Sequence, residues 1–400
     1  MNDLALHLVD EVIPRVPVRQ WICSMPWSLR VPMGYDRGLC NDVLAVWAQE
    51  LSRSYRWRAK RLLGLPGVER ALPGSVTVVQ RWDSAVRLCP HPHTHTLCLD
   101  GVYVRSPLRP GLEFIELPEP TDEELYDLAA RVASCVERVL VKHGRHLDGP
   151  DMGDDGEQTV LASCLAASAR GLDIMDGRAG RPTQRLRDVP PVLPTHGKPL
   201  PLAEVRGFDI HAARTVHVND RAGIERLVRY IARPPIASER LHVEPDGRVR
   251  YDMKRTWADG TTSVRLAPLD FIARLCAIVP PPWFNLTRYH GVLASGSPHR
   301  AGVVPCVTVV EPPERQLWLP GFERGEGEVG KSAPRRGNRP AGRHPWAQLL
   351  ERTFRVDATT CPRCSQPLRL VEIATTPEAI RRVMTRAGLA PMPPPPPIPK

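Results

Sequence analysis

The chain lacks any run approaching the roughly 18 apolar residues that a membrane-spanning helix needs, which excludes a helical membrane anchor. Its N-terminus has no basic stretch followed by an apolar core, so a secretory leader is not expected there and a cytoplasmic location is. Ten cysteines are present, but eight stand singly in apolar or mixed stretches, the pattern of reduced core thiols rather than disulfides. Only Cys361 and Cys364 have ligand spacing, and no Cys or His follows them, so a zinc site there is half visible and would need His344 or residues from elsewhere. There is no His-Glu-x-x-His helix and no carboxylate cluster around the histidines, which argues against a generic metallohydrolase.

What is present is length and positive charge. Four hundred residues, 42% of them hydrophobic, are enough for two or three domains with a buried core. A formal charge of +10 favours a polyanionic partner, nucleic acid first and an anionic membrane surface second.

The chain is organised around His91 to Arg105. Side chains alternate along a strand, so His91, His93 and His95 share a face, with Pro92 pushing His91 to the strand's start as a bystander. Asp100-Gly101 suggests a tight turn with positive backbone angles that returns Val102 to Arg105 alongside the histidine strand as a hairpin. Ser75 to Arg81, a β-branched run, is expected to pair with that hairpin.

The rest follows from periodicity and caps. Leu4 to Val12 reads as a short helix and Val18 to Met25 as a strand. Asp36 or Asn41 caps a long helix to Leu63 whose polar face carries Arg53, Arg56, Arg58 and Arg61. Thr121 and Glu124 form a capping box for a helix to about His143. Phe208 to Val218 alternates as a strand, and Asn219-Asp220 caps a helix from Arg221 to Arg233 that Pro234 and Pro235 end. Arg248 to Lys254 and Thr261 to Leu266 make a second hairpin, followed by a helix from Leu269 to Ile278. The expected organisation is 1–74 and 75–143 as two parts of one α+β unit, 144–200 as a weakly structured insertion, and 201–320 as its third part. A basic linker at 321–345, too poor in apolar residues to fold, leads to a small tail module at 346–400 with a strand from Leu368 to Ile373, a helix from Pro377 to Ala387 and a polyproline end.

In the helix after Asp220, Ile224, Leu227, Val228 and Ile231 form the buried stripe, and Tyr230 lies about 100° from its centre. Arg226 and Arg233, four residues before and three after, share its side. A half-exposed phenol between guanidiniums suits a phosphate met by a hydroxyl nucleophile, or equally a ring packed at a helix edge. A phenol with a pKa near 10 needs a polarised phosphate, which a divalent cation on His93 and His95 would supply. A third ligand is expected, Gln80 first, then Glu225 or His211.

The order of these blocks resembles the rolling-circle insertion-sequence transposases of IS-ninety-one type, in the HUH endonuclease superfamily. The blocks are His-Thr-His leading into Leu99-Asp100-Gly101-Val102-Tyr103, Arg229-Tyr230-Ile231-Ala232-Arg233-Pro234-Pro235, Val16 to Trp21, Gly207 to His211, Trp257 to Thr262 and Arg288 to Ala294. The resemblance covers about residues 5 to 390. It implies an α+β HUH-type palm with a central antiparallel sheet flanked by helices, plus the small C-terminal module. It implies an enzyme that nicks and rejoins single-stranded DNA at element ends and target, with Tyr230 as nucleophile and His93, His95 and Gln80 holding Mg²⁺ or Mn²⁺. Arg226, Arg233, Lys254 and Tyr289 would contact DNA, and Trp21, Trp257 and Tyr289 would offer rings to unpaired bases. Three features depart from the family pattern: Thr94 stands where a bulky hydrophobe is usual, the chain starts too late for the relatives' N-terminal zinc-binding segment, and no second tyrosine lies three or four residues from Tyr230. Either Tyr289 or Tyr251 serves as a second nucleophile or a single-tyrosine mechanism applies, and a catalytically impaired DNA-binding remnant is the alternative reading of the whole.

Overall fold

The computed structural model describes residues 2–82, 90–105, 111–147, 160–187, 202–233, 236–254, 256–257, 259–280, 283–305, 351–352, 357, 359–360, 365–367 and 377–386. The chain divides near Gly337 into two units. In the second, the described structure includes the helix Pro377–Arg386, helical residues Glu351 and Arg352, and a bridge between Thr360 and Pro367. Cys361, Cys364, His344, the basic linker and the strand expected at Leu368 to Ile373 lie outside the described residues.

The first unit is α+β, built on a six-stranded antiparallel sheet. In chain order its strands are β1 (Val18–Ser24), β2 (Gly74–Trp82), β3 (Pro90–Leu99), β4 (Gly101–Arg105), β5 (Leu112–Glu116), β6 (Gln184–Arg187), β7 (Leu202–Val205), β8 (Phe208–Val216), β9 (Leu241–Val243), β10 (Val249–Asp252), β11 (Thr261–Leu266) and β12 (Thr287–Gly291). The large sheet runs β12-β2-β3-β1-β8-β7, so the histidine strand β3 is central. A second sheet runs β6-β11-β10-β9, and β4 and β5 form a ribbon of their own.

The helices are α1 (Asn2–His7), continued by a wider turn at Leu8–Val12, then α2 (Trp27–Tyr35), α3 (Arg37–Leu63), α4 (Asp122–Lys142), α5 (Val160–Ala169), α6 (Arg221–Ile231) and α7 (Pro268–Ile278). Their ends follow local chemistry. Asp36 accepts from Leu39 N to start α3, Gly64 closes it in the left-handed conformation, Thr121 and Glu124 complete the capping box of α4, and Asp220 accepts from Gly223 N at α6. Each such cap stabilises its helix by about 1 kcal/mol.

Because strand side chains alternate, the sheet has two unlike faces. Trp21, Cys23, Val79, Cys98, Ile210 and Ala212 pack under α2, α3 and α4. Val18, Val76, Val78, Leu97 and Val216 pack under α1 and the Ile224, Leu227, Val228 and Ile231 stripe of α6. Tyr230 therefore stands over the sheet face that carries His93 and His95.

The expected hairpin does not form. Val102 to Arg105 pairs with β5, not with β3, because both edges of β3 are already taken by β1 and β2. The chain is turned away at Asp100, whose buried carboxylate takes Nε and Nη2 of Arg19 at 2.8 and 2.9 Å while its backbone bonds Pro17 and Leu117. Gly101 is needed there for close approach, not for a positive φ: a Cβ would lie 2.2 Å from the carbonyl of Ile115.

Within 144–200, expected to be weakly structured, residues 160–187 form α5 and β6. They are tied to α7 by Arg274, only 1% exposed, which bonds Asp270 at 2.7 Å, Ser168 Oγ at 3.1 Å and the carbonyl of Leu172 at 2.6 Å. Helix α2 was not expected either; Pro26 precedes its first turn and Pro32 lies inside it.

Candidate functional site

The site is assembled from three strands and one helix end. β3 contributes His93 and His95, with ring centroids 5.1 Å apart and planes at 71°. His93 is half-buried and His95 buried. Burial, reinforced by the neighbouring His93, lowers the pKa of His95 to about 3. Its imidazole is thus neutral at ordinary pH, the form that has a lone pair for a metal.

β2 sets Gln80 directly opposite His93. Gln80 donates from Nε2 to the carbonyl of Ile231 at 2.5 Å, linking the sheet to the last turn of α6 and leaving its amide oxygen as the group able to ligate. β1 contributes Gln20, whose amide lies 2.9 Å from Nδ1 of His95 in a buried contact. As placed, the amide Nε2 of Gln20 donates to Nδ1 of His95, and ligation through Nε2 of His95 requires the amide to turn and present its oxygen to Nδ1–H.

From α6, the Tyr230 ring meets that of His95 edge to face, with centroids 6.3 Å apart and planes at 81°. Tyr230 is 52% exposed, so its hydroxyl is open to an incoming group. The Arg233 guanidinium lies 5.3 Å from the centre of its ring.

Other expected residues fall elsewhere. Arg226 does not flank Tyr230: its guanidinium reaches back to the cap residue Asp220 at 3.6 Å. Glu225 is held by Arg229 at 2.5 Å. His211 sits on β8 opposite Ile22, itself opposite His95, two strands away on the same face. Among the described residues no three His, Cys, Asp or Glu side chains converge well enough to hold a metal ion, which weighs against Glu225 and His211 and leaves the Gln80 amide as the available third donor. Two imidazoles and one amide oxygen would hold a divalent cation while leaving positions open, the imidazoles favouring a transition-metal ion over the harder Mg²⁺.

Lys254 lies just past the end of β10, where with Arg250 and Asp252 it lines a polar groove of about 530 Å³. Tyr289, on β12, is half-buried under Arg300, and burial holds its phenol above the ordinary value. Tyr251 is fully buried, its hydroxyl accepting from Ala237 N, so it is no exposed nucleophile. Trp21 is also unavailable to a base: it is 1% exposed and donates to the Tyr55 hydroxyl at 2.9 Å. Trp257 is partly buried, with Arg185 at 5.2 Å from its ring.

Sequence reading missed Gln20. The Val16 to Trp21 block contains it, but only the β1–β3 register shows that it shares a face with His95.

Fold and site together define an α+β protein whose large antiparallel sheet presents an imidazole pair, an amide and an exposed tyrosine on one face. The family model described as "Putative transposase" (Y2_Tnp) matches residues 74–301, more than half of the chain, and the protein belongs to that transposase family. The matched span includes Gln80, His93, His95, Tyr230 and Arg233. No curated protein and no solved structure matches the chain. Among the described residues no helix is long and apolar enough to cross a membrane.

Proposed function

We propose that this transposase-family protein nicks and rejoins single-stranded DNA through Tyr230, in the rolling-circle manner of the HUH endonucleases. The observation that carries the reading is the contact of the exposed Tyr230 ring with the His95 imidazole, which joins a helix end to a central strand far away in sequence.

In this reading a phosphodiester docks with its oxygens toward His93, His95 and the amide oxygen of Gln80. A divalent cation bound by those three would polarise the scissile phosphate and offset the charge that builds up on it. Tyr230 Oη bonds to phosphorus as the bond to the 3′-oxygen breaks. The phenol gives up its proton and the departing 3′-oxygen takes one up. One phosphodiester replaces another, so the 5′-phosphotyrosyl link retains the energy needed for rejoining. Arg233 supplies positive charge beside the attacking oxygen, and Gln80 fixes the last turn of α6 relative to the sheet.

Incubation with labelled single-stranded element-end DNA and Mn²⁺ gives a covalent protein–DNA adduct that Tyr230→Phe abolishes. An undiminished adduct in that variant overturns the assignment, and metal-indifferent binding without any adduct marks a DNA-binding remnant instead.

A further inference from the structure

On the other side of the sheet, the second half of α3 and the first half of α4 enclose a groove of about 610 Å³. Arg53, Trp57, Lys60 and Arg61 recur at the three- and four-residue spacing that puts them on one side of α3, and Arg131 of α4 faces them. Five cationic side chains line the groove against two carboxylates, Glu124 and Asp127.

The groove is preorganised. Glu124 holds Arg58 at 2.9 Å and also bonds Arg61, while Glu50 holds Arg131 at 3.2 Å and Arg53 at 3.7 Å. Trp57 is 51% exposed, and the Lys60 ammonium lies 5.2 Å from the centre of its ring. An exposed indole costs hydration and is not needed by the core, which closes beneath it through Tyr55 and Ala59.

We infer that this groove is a second site for single-stranded DNA, separate from the Tyr230 face, in which Trp57 stacks an unpaired base and Arg53, Lys60 and Arg61 follow the phosphates. Guanidiniums and an ammonium recognise a polyanion of any kind, but an open aromatic face among them selects an unpaired base, because a duplex keeps its base faces stacked internally. An acidic peptide would match the charge and leave the indole unused. The groove lies in the α3–α4 layer, across the sheet from α6, so a strand held there does not compete with one at His93 and His95. A protein of this family could then hold one part of a strand while another is at the nick site.

The test uses the full chain and mixed-sequence fluorescent single strands, with fluorescence anisotropy over a range of salt concentrations. Trp57→Ala is expected to weaken binding roughly ten-fold, the scale of removing one stacked base, with Trp57→Phe retaining most of the affinity. Lys60→Glu is expected to weaken binding and flatten the dependence of log K on log salt by about 0.7 for each phosphate no longer neutralised. Both positions are at the surface, so thermal unfolding should match the parent chain. Tyr230→Phe should leave this binding intact, which keeps the groove's outcome separate from that of the nicking reaction. Unchanged affinity and salt slope in both groove variants overturn the inference, as does a loss confined to duplex DNA or competition by polyglutamate that single-stranded DNA does not match.

Discussion

The side-chain amide of Gln20 lies 2.9 Å from Nδ1 of His95, inside the sheet and shielded from water. A histidine that ligates through one nitrogen is oriented by what its other nitrogen meets, and losing such a partner typically lowers metal affinity by about 10- to 100-fold. Gln20→Leu should therefore weaken Mn²⁺ binding by about that factor in calorimetric titration, whereas Gln20→Glu, whose carboxylate can only accept from Nδ1–H and so leaves Nε2 to ligate, should retain most of it. Equal affinities in all three proteins would show that Gln20 only fills space.

The two arginines expected beside Tyr230 are not equivalent. Arg233 covers the ring and Arg226 turns to Asp220. Arg233→Ala should slow adduct formation by at least about ten-fold through loss of charge next to the attacking oxygen. Arg226→Ala should change the rate much less and slightly destabilise α6 by freeing its cap residue. Rates of labelled-adduct formation at saturating DNA distinguish the two, and the opposite ranking would disprove the assigned positions.

Where the chain's local chemistry decides a structure, the sequence was informative. The caps Asp36, Thr121 with Glu124, and Asp220 act within one turn of their helices and needed no tertiary knowledge. The turn at Asp100-Gly101 is misread from sequence because its outcome depends on which strands flank β3, and on Arg19, which is remote in sequence and claims the Asp100 carboxylate. The site shows the same division. The shared face of His93 and His95 follows from alternation alone. The meeting of His95 with Tyr230, and the presence of Gln20 behind the imidazole, depend on strand order and register, to which no local pattern refers. Trp21 shows the converse error: an aromatic next to basic residues suggests a base-stacking ring, but alternation within β1 turns it to the core side.

Thr94 lies between the two histidines and faces the opposite side of the sheet, fully buried with Cys23 and Val79 as its cross-strand neighbours. Its Oγ1 has no hydrogen-bond partner, unlike Thr96 two residues on, whose hydroxyl meets Trp47 Nε1 at 2.9 Å and Thr77 at 3.0 Å. A buried hydroxyl left unpaired costs about 1–3 kcal/mol, and valine fills nearly the same volume without it. Thr94→Val should raise the stability of the first unit by about 1 kcal/mol in urea unfolding while leaving Mn²⁺ binding unchanged, because the histidines face the other way. Destabilisation would mean that the hydroxyl is satisfied by an internal water.

His290 should make that stability depend on pH. It lies on β12 opposite Ser75, its Nε2 is buried without a hydrogen-bond partner, and burial together with nearby Arg288 lowers its pKa below the ordinary histidine value. In the unfolded chain the same imidazole takes a proton near pH 6.5. As pH falls below that value the unfolded state binds the proton first, so the stability that His290 contributes is present above about pH 6.5 and is lost as pH falls through its lower native value. The slope contributed by one such group cannot exceed about 1.4 kcal/mol per pH unit. His290→Leu removes the titrating group, so the fall in urea midpoint between neutral and mildly acidic buffer should be smaller in the variant than in the parent chain. Both proteins should be compared in the presence of chelator, since a bound cation would add its own pH dependence through the site histidines. Parallel midpoint curves would show that His290 takes up its proton equally well in the folded sheet, and that the cost of burying it charged has been met by a partner or by water.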